Sequence, residues 1–201
     1  MRKPVTLLAS VIVCLAPVLP AGAEVDLFDI QAALLLGETT IKVPAEAQEA
    51  DLPAIASCIK GAKGITLDLS ATKIKVISDY AFNYDAFSGC TALKEVILPS
   101  TLTTIGERAF RGCDSLTSIT IPDSVTSIGD GAFSWCKSLT SLTIPNGVTS
   151  IGEWAFSWCK SLTSITFEST GGWYLDETLT QSVGSGELSS HLKAGKALYM
   201  R

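Results

Sequence analysis

The chain has 201 residues, 47% of them hydrophobic and 17% charged, with a formal net charge of −5. That length suits one domain, and the acidic balance repels phosphate backbones, which argues against a nucleic-acid partner. With no polybasic or basic amphipathic segment, a membrane-surface partner is not expected either.

Residues 1–23 have the pattern of a secretory signal peptide. Arg2 and Lys3 form a basic start, Val5 to Leu19 is mostly apolar, and Ala21-Gly22-Ala23 is a small-x-small cleavage site. The apolar run is too short and too interrupted by proline for a membrane span. Cutting after Ala23 leaves Glu24 first, and the loss of two cations leaves 13 basic against 20 acidic residues, a net −7. Lipid anchoring at Cys14 is the alternative, but Val11-Ile12-Val13 lacks the small residue such processing needs. The expected location is therefore outside the cell or on its surface, with the periplasm left open.

Residues 24–64 read as an α+β capping segment. Asp26 precedes the apolar run Leu27 to Leu36, and Gly37 closes it, which predicts a helix. Thr39 to Val43 alternates like an edge strand. Asp51 precedes Leu52-Pro53-Ala54-Ile55, and Gly61 ends a second short helix, with proline tolerated early because its missing donor would be unpaired anyway.

Residues 65–167 repeat. Pro122 to Ile144 reads PDSVTSIGDGAFSWCKSLTSLTI, and Pro145 to Phe167 reads PNGVTSIGEWAFSWCKSLTSITF, identical at 17 of 23 positions. Pro99 to Ile121 keeps the same frame. An imperfect unit begins at Ile65 to Leu69 and carries extra residues after Phe82, so that either Phe82 or Phe87 fills the phenylalanine slot. A fixed period of this length predicts a solenoid of about four 23-residue coils. In one unit the apolar positions are Val125, Ile128, Ala132, Phe133, Cys136, Leu139, Leu142 and Ile144. Leu142-Thr143-Ile144 alternates as one short strand per coil, and Pro122 and Pro145 end such strands. Gly129 marks a tight turn or a close backbone approach. Ala132-Phe133, Cys136 and Leu139, spaced by three or four, predict a brief helical or 3₁₀ corner.

The pattern C-xx-L-xx-I-x-IP-xx-V-xx-IG-xx-AF, as in CDSLTSITIPDSVTSIGDGAF, resembles the leucine-rich repeats of the BspA-like family, the Treponema-type class. The resemblance covers about half the chain. It implies a curved solenoid, secreted or on a bacterial surface, used for adhesion or protein binding. With the signal peptide and the solenoid, the expected partner is a host surface or matrix protein, or a neighbouring bacterial protein. The resemblance carries no catalytic residue over to this chain.

Cys90, Cys113, Cys136 and Cys159 are 23 residues apart and fill one position per coil. Stacked strands lie about 4.8 Å apart, but equivalent side chains point the same way rather than converging for a disulfide. They are expected to form a buried column of free thiols beside the core phenylalanines Phe110, Phe133 and Phe156. No CxxC pair occurs and the single histidine, His191, lies outside the repeats, so no metal site is expected.

Residues 168–201 read as a C-terminal cap, Gly/Ser/Thr-rich at first, then a short helix over Glu187 to Ala194 and a last strand over Ala197 to Met200. No GxSxG elbow accompanies the many serines. The acids Glu107, Asp130 and Glu153 recur at one corner position and read as a solvated stripe rather than a glycosidase pair. No catalytic group and no cofactor is therefore expected, and a hydrolase is disfavoured. The outward strand face is nearly neutral: Glu95 and Ile97, then Ser118 and Thr120, Ser141 and Thr143, Ser164 and Thr166.

Trp135 and Trp158 stand where earlier coils have Gly89 and Gly112, and Trp154 stands where they have Arg108 and Gly131. Positions that accept Gly, Arg and Trp face outward. Trp135, Trp154 and Trp158 are thus candidate partner-binding residues on one edge, or else they pack on the C-terminal cap around Trp173 and Tyr174. Protein binding or adhesion is the expected function. A structural or self-associating envelope component is the alternative.

Overall fold

The computed structural model describes residues 27–81, 91–169, 173–174 and 198–200. The expected signal peptide, Cys14, Asp26, Phe82, Phe87, Gly89, Cys90, the helix over 187–194 and His191 lie outside the described residues.

The N-terminal segment contains α1 (Leu27–Leu35), β1 (Thr40–Lys42), a 3₁₀ turn (Glu49–Asp51) and α2 (Leu52–Ile59). The chain leaves α1 through Gly37 N–H to Leu34 O and Glu38 N–H to Ala33 O, both 3.0 Å, which satisfies carbonyls at the helix end. α1 buries Leu27 and Ile30, and α2 buries Leu52, Ile55, Ala56 and Ile59. Asp51 is itself inside the 3₁₀ turn, and its carboxylate accepts the Gln48 N–H at 2.9 Å.

Strands then alternate between two faces. The wider face carries β2 (Ile65–Asp68), β4 (Leu93–Ile97), β6 (Ser118–Thr120), β8 (Ser141–Ile144) and β10 (Ser164–Phe167). The narrower face carries the two-residue strands β3 (Val76–Ile77), β5 (Thr104–Ile105), β7 (Ser127–Ile128) and β9 (Ser150–Ile151). Each coil thus has a second short strand in addition to the one expected. Four coils carry both strands, and β10 begins a fifth.

All these pairings are parallel. β1 joins the wide face beside β2, with Ile41 opposite Leu67, so the cap extends the same ladder. β2, β4 and β6 follow in order, and β8 pairs with β10 as a separate two-stranded sheet. On the narrow face Ile77, Ile105, Ile128 and Ile151 lie in register. There β12 (Leu198–Met200) adds antiparallel to β9, and β11 (Trp173–Tyr174) adds to β12.

The core between the faces is a set of columns. Phe110, Phe133 and Phe156 are buried and stack at 5.4 and 5.5 Å, with interplanar angles of 6° and 4°. Val125, Ile128, Ala132, Cys136, Leu139, Leu142 and Ile144 are buried, as one coil's apolar positions require. Gly129 serves a close approach, not a left-handed turn. A Cβ there would lie 2.6 Å from Glu107 N, and Gly106 and Gly152 meet the preceding coil in the same way. Among the described residues no helix is long and apolar enough to cross a membrane.

Candidate functional site

The corner between the two faces fixes an unusual backbone. Among the described residues two corner positions recur with positive φ. One precedes the Ala of the Ala-Phe pair: Tyr80 (56°), Arg108 (51°), Gly131 (59°) and Trp154 (59°). The other precedes the repeat cysteine: Gly112 (74°), Trp135 (65°) and Trp158 (60°). Alternate N–H groups between these positions donate to the next coil. Gly131 N–H reaches Glu153 O at 2.7 Å, Phe133 N–H reaches Ala155 O at 2.8 Å, and Trp135 N–H reaches Ser157 O at 2.8 Å. The corner is thus an irregular run of turns: Ser134 N–H bonds Gly131 O at 2.9 Å and Cys136 N–H bonds Phe133 O at 3.2 Å, the i to i−3 bonds of a 3₁₀ corner, while the alternate groups join the coils. Glycine accepts positive φ freely, whereas a side chain there costs roughly 1–2 kcal/mol. The tryptophans occupy positions where the fold itself favours glycine.

Trp135 and Trp158 stack at 5.0 Å with a 13° interplanar angle. Lys137 Nζ lies 5.7 Å from the Trp135 ring centroid and pairs with Asp114 at 2.6 Å. Trp135, Trp154 and Trp158 are 37%, 56% and 60% exposed. Trp173, by contrast, is buried. It meets Phe167 edge-on at 5.5 Å, and its indole N–H donates to Ser169 O at 3.0 Å. Its ring contact is thus at the end of β10, not with the exposed indoles.

The three indoles border a groove of about 400 Å³, together with Arg111, Glu153 and Ser157. Its polar groups divide into two sets. Asp130 Oδ1 accepts the Glu153 N–H at 2.8 Å, and Asp79 Oδ1 accepts the Glu107 N–H at 2.8 Å, so these acids tie adjacent coils together. Asp130 and Glu153 are exposed, as a solvated stripe requires, and Asp130 in addition bonds the next coil. Glu107 is engaged with Arg108 at 2.8 Å and accepts the Tyr80 hydroxyl at 2.6 Å, while the Arg108 guanidinium lies 5.3 Å from the Tyr80 ring centroid. Glu107 as acceptor holds the Tyr80 phenol above its ordinary pKa.

The second set is uncommitted. The ion pairs among the described residues are Glu107–Arg108 and Asp114–Lys137, which leaves Arg111 and Glu153 outside them. Ser157 is only 6% exposed, yet among the described residues its hydroxyl has no hydrogen-bond partner. A buried unmatched hydroxyl costs about 1–3 kcal/mol. A larger cleft of about 750 Å³ lies between α1 and β1, lined by Asp29, Glu38 and Lys42 among others, with no aromatic side chain.

Of the repeat cysteines described, Cys113 and Cys136 are buried and in no disulfide, and Cys159 is part-buried. Cys136 and Cys159 donate to Phe110 O and Phe133 O at 3.2 and 3.1 Å. Burial pushes the Cys136 thiol up, while the adjacent Cys136 side chain pulls Cys159 below its ordinary value against its own burial. Burial raises Cys58. Among these four, Cys159 is expected to react first with a thiol reagent, at lower pH than Cys58, and Cys113 and Cys136 only after denaturation. Mass spectrometry of pulse-labelled protein measures this, and rapid native labelling of Cys136 would contradict the buried column. Among the described residues no group of three His, Cys, Asp or Glu is placed to hold a metal ion.

Residues 75–172 match the family model described as BspA type leucine rich repeat region, in six copies. A leucine-rich repeat protein from Bacteroides ovatus is similar in structure, with 27% identity and a TM-score of 0.50 over 65% of this chain and 34% of that one. A leucine rich cell surface protein from Faecalibacterium prausnitzii is similar at 28% identity and a TM-score of 0.52, over 74% of this chain and 35% of that one. The chain thus spans about a third of the length of these two proteins. No curated protein matches it.

Proposed function

We propose, from the membership of residues 75–172 in the BspA-type leucine-rich-repeat family, that this chain is an exported bacterial binding module. It acts in adhesion on or outside the cell. In this account residues 1–23 direct export, residues 24–64 and 168–201 cap the array, and residues 65–167 present the binding surface. A stacked array offers an extended surface whose outward positions vary without cost to the core, which suits an interaction scaffold. The partner is a surface or matrix protein of a host, or a neighbouring bacterial protein.

The observation that carries this proposal is the exposed cluster of Trp135, Trp154 and Trp158 at positive-φ positions. Exposed tryptophans grouped on one edge are typical anchors of binding interfaces. Backbone strain retained at such a cluster is the kind found at functional sites. The description of the similar Faecalibacterium protein as a cell surface protein supports the location.

Two linked measurements test it. Antibody labelling of intact bacteria is expected to reach the chain, and the purified chain is expected to bind host or bacterial cell surfaces saturably. A chain found only inside cells, or one that binds neither surface, would overturn the proposal.

Self-association has one specific observation in its favour. Among the described residues no strand pairs with the outer edge of β10, and an open edge is a template for another strand. Light scattering separates the two: self-association predicts a mass that grows with concentration, and a binding module predicts a constant mass.

A further inference from the structure

We propose that the tryptophan groove is a carbohydrate site for a neutral oligosaccharide carried by the surface partner. It rests on the extracellular binding module argued above and specifies the chemistry of its contact.

Three features of the groove point to a sugar. The first is the presentation of flat aromatic surface. Trp154 and Trp158 are each more than half exposed, and Trp158 ends the indole stack begun by Trp135. An indole face is electron-rich, and the C–H bonds on one side of a pyranose ring carry a small positive charge and lie flat. Such a ring would stack on the exposed surface of Trp158.

The second is the mixture of donors and acceptors beside those faces. Arg111 offers only donors, the Glu153 carboxylate only acceptors, and the Ser157 hydroxyl both. Ser157 lines the groove with its hydroxyl buried and unmatched among the described residues, so rotation of that side chain toward the groove would let an entering hydroxyl satisfy it. Sugars carry hydroxyl groups that donate and accept at once, which matches all three side chains. A purely apolar ligand would leave them stranded.

The third is charge. The groove holds Glu107, Asp130 and Glu153 with Arg108 and Arg111, and of these Asp130 and the Glu107–Arg108 pair are already committed within the corner. The hydrogen bond at Asp130 leaves its charge in place, so three acids stand against two bases, a net charge of only −1. That balance gives no field to select a polyanion or a polycation, and it favours a neutral ligand.

The strain at the tryptophans makes the proposal testable without unfolding the chain. Trp154→Gly and Trp158→Gly place glycine at φ angles of 59° and 60°, as Gly131 and Gly112 already do one and two coils earlier. Loss of a ligand site is thereby separated from loss of a fold.

The experiment titrates the full chain with neutral tetra- to hexasaccharides of the gluco-, xylo-, manno- and N-acetyllactosamine series, followed by tryptophan fluorescence and calorimetry. At least one series is expected to bind saturably. Each Trp→Gly variant is expected to weaken binding at least about tenfold, equivalent to about 1.4 kcal/mol, with a melting temperature that does not fall. Ser157→Ala is expected to weaken binding with no loss of stability.

Absence of binding by every series at about 10 mM, or equal binding by the variants, would overturn the carbohydrate site. Mild periodate oxidation of target cells distinguishes the sources of failure. Adhesion that depends on the tryptophans but resists periodate means a protein contact, which sinks the sugar and keeps the module. Loss of cell-surface binding by the unmodified chain on untreated cells sinks the module itself.

Discussion

Phe133→Ala is expected to destabilise the chain by about 3–5 kcal/mol, a large part of the 5–15 kcal/mol typical of a folded domain. Phe133 is fully buried and is the middle ring of its column, stacked on Phe110 on one side and Phe156 on the other. Truncation removes both ring contacts and leaves a cavity between coils. The coils cannot close on it, because the corner ladder holds Phe133 N–H on Ala155 O at 2.8 Å. Phe156→Ala is expected to cost less, since Phe156 has one stacked neighbour among the described phenylalanines. Thr143→Ala, on the exposed strand face, is expected to stay within about 0.5 kcal/mol of the parent. Urea unfolding measures all three, and a Phe133→Ala midpoint equal to that of Thr143→Ala would contradict the column as the main source of stability.

Gly129→Ala is expected to cost about 1–3 kcal/mol or more, as overpacking does, although it adds only one methyl group. The new Cβ would lie 2.6 Å from Glu107 N and 2.7 Å from Gly106 C. Both are backbone atoms of the preceding coil and cannot swing aside. Separation of the coils there would also stretch Gly129 N–H to Ile105 O, now 2.8 Å. Gly131→Ala is a sharp comparison two residues away. Its Cβ would meet the flexible Arg108 Cγ at 3.2 Å, so its cost is chiefly that of a side chain at φ 59°. Thermal and urea unfolding are expected to rank Gly129→Ala as the more damaging substitution. The reverse order would mean that the coils are not packed as tightly as the glycine column implies.

The interior of the coil was legible in the sequence because burial there repeats with the chain. Every apolar position read from Val125 to Ile144 is buried, and the outward Ser and Thr of β6, β8 and β10 are exposed. The short strands β3, β5, β7 and β9 were not legible, because two residues such as Ser127-Ile128 are too few to show an alternating pattern. Gly129 was narrowed to two roles, and only the distance to Glu107 decides between them. Asp130 looked like one member of an acidic stripe. Its hydrogen bond to the Glu153 N–H depends on coil stacking, which spacing alone does not reveal.

The tryptophan edge was half legible. Substitution of Gly by Trp at equivalent positions identified side chains that leave the core, and Trp135, Trp154 and Trp158 do so. The backbone strain under them was hidden, because Arg108 and Trp154 share a position with Gly131 but carry no sequence mark of positive φ. Ser157 carries no such mark in the sequence. Nothing in a serine of a repeated Phe-Ser-Trp segment signals that its hydroxyl is buried without a partner.

The most direct measurement is to replace Trp154 and Trp158 together by glycine and follow melting temperature and cell-surface binding on the same preparation. The account predicts that the double variant melts no lower than the parent while its binding falls at least about tenfold, equivalent to about 1.4 kcal/mol. Binding retained in full, or lost only in step with a lowered melting temperature, would contradict it and make the edge a part of the scaffold.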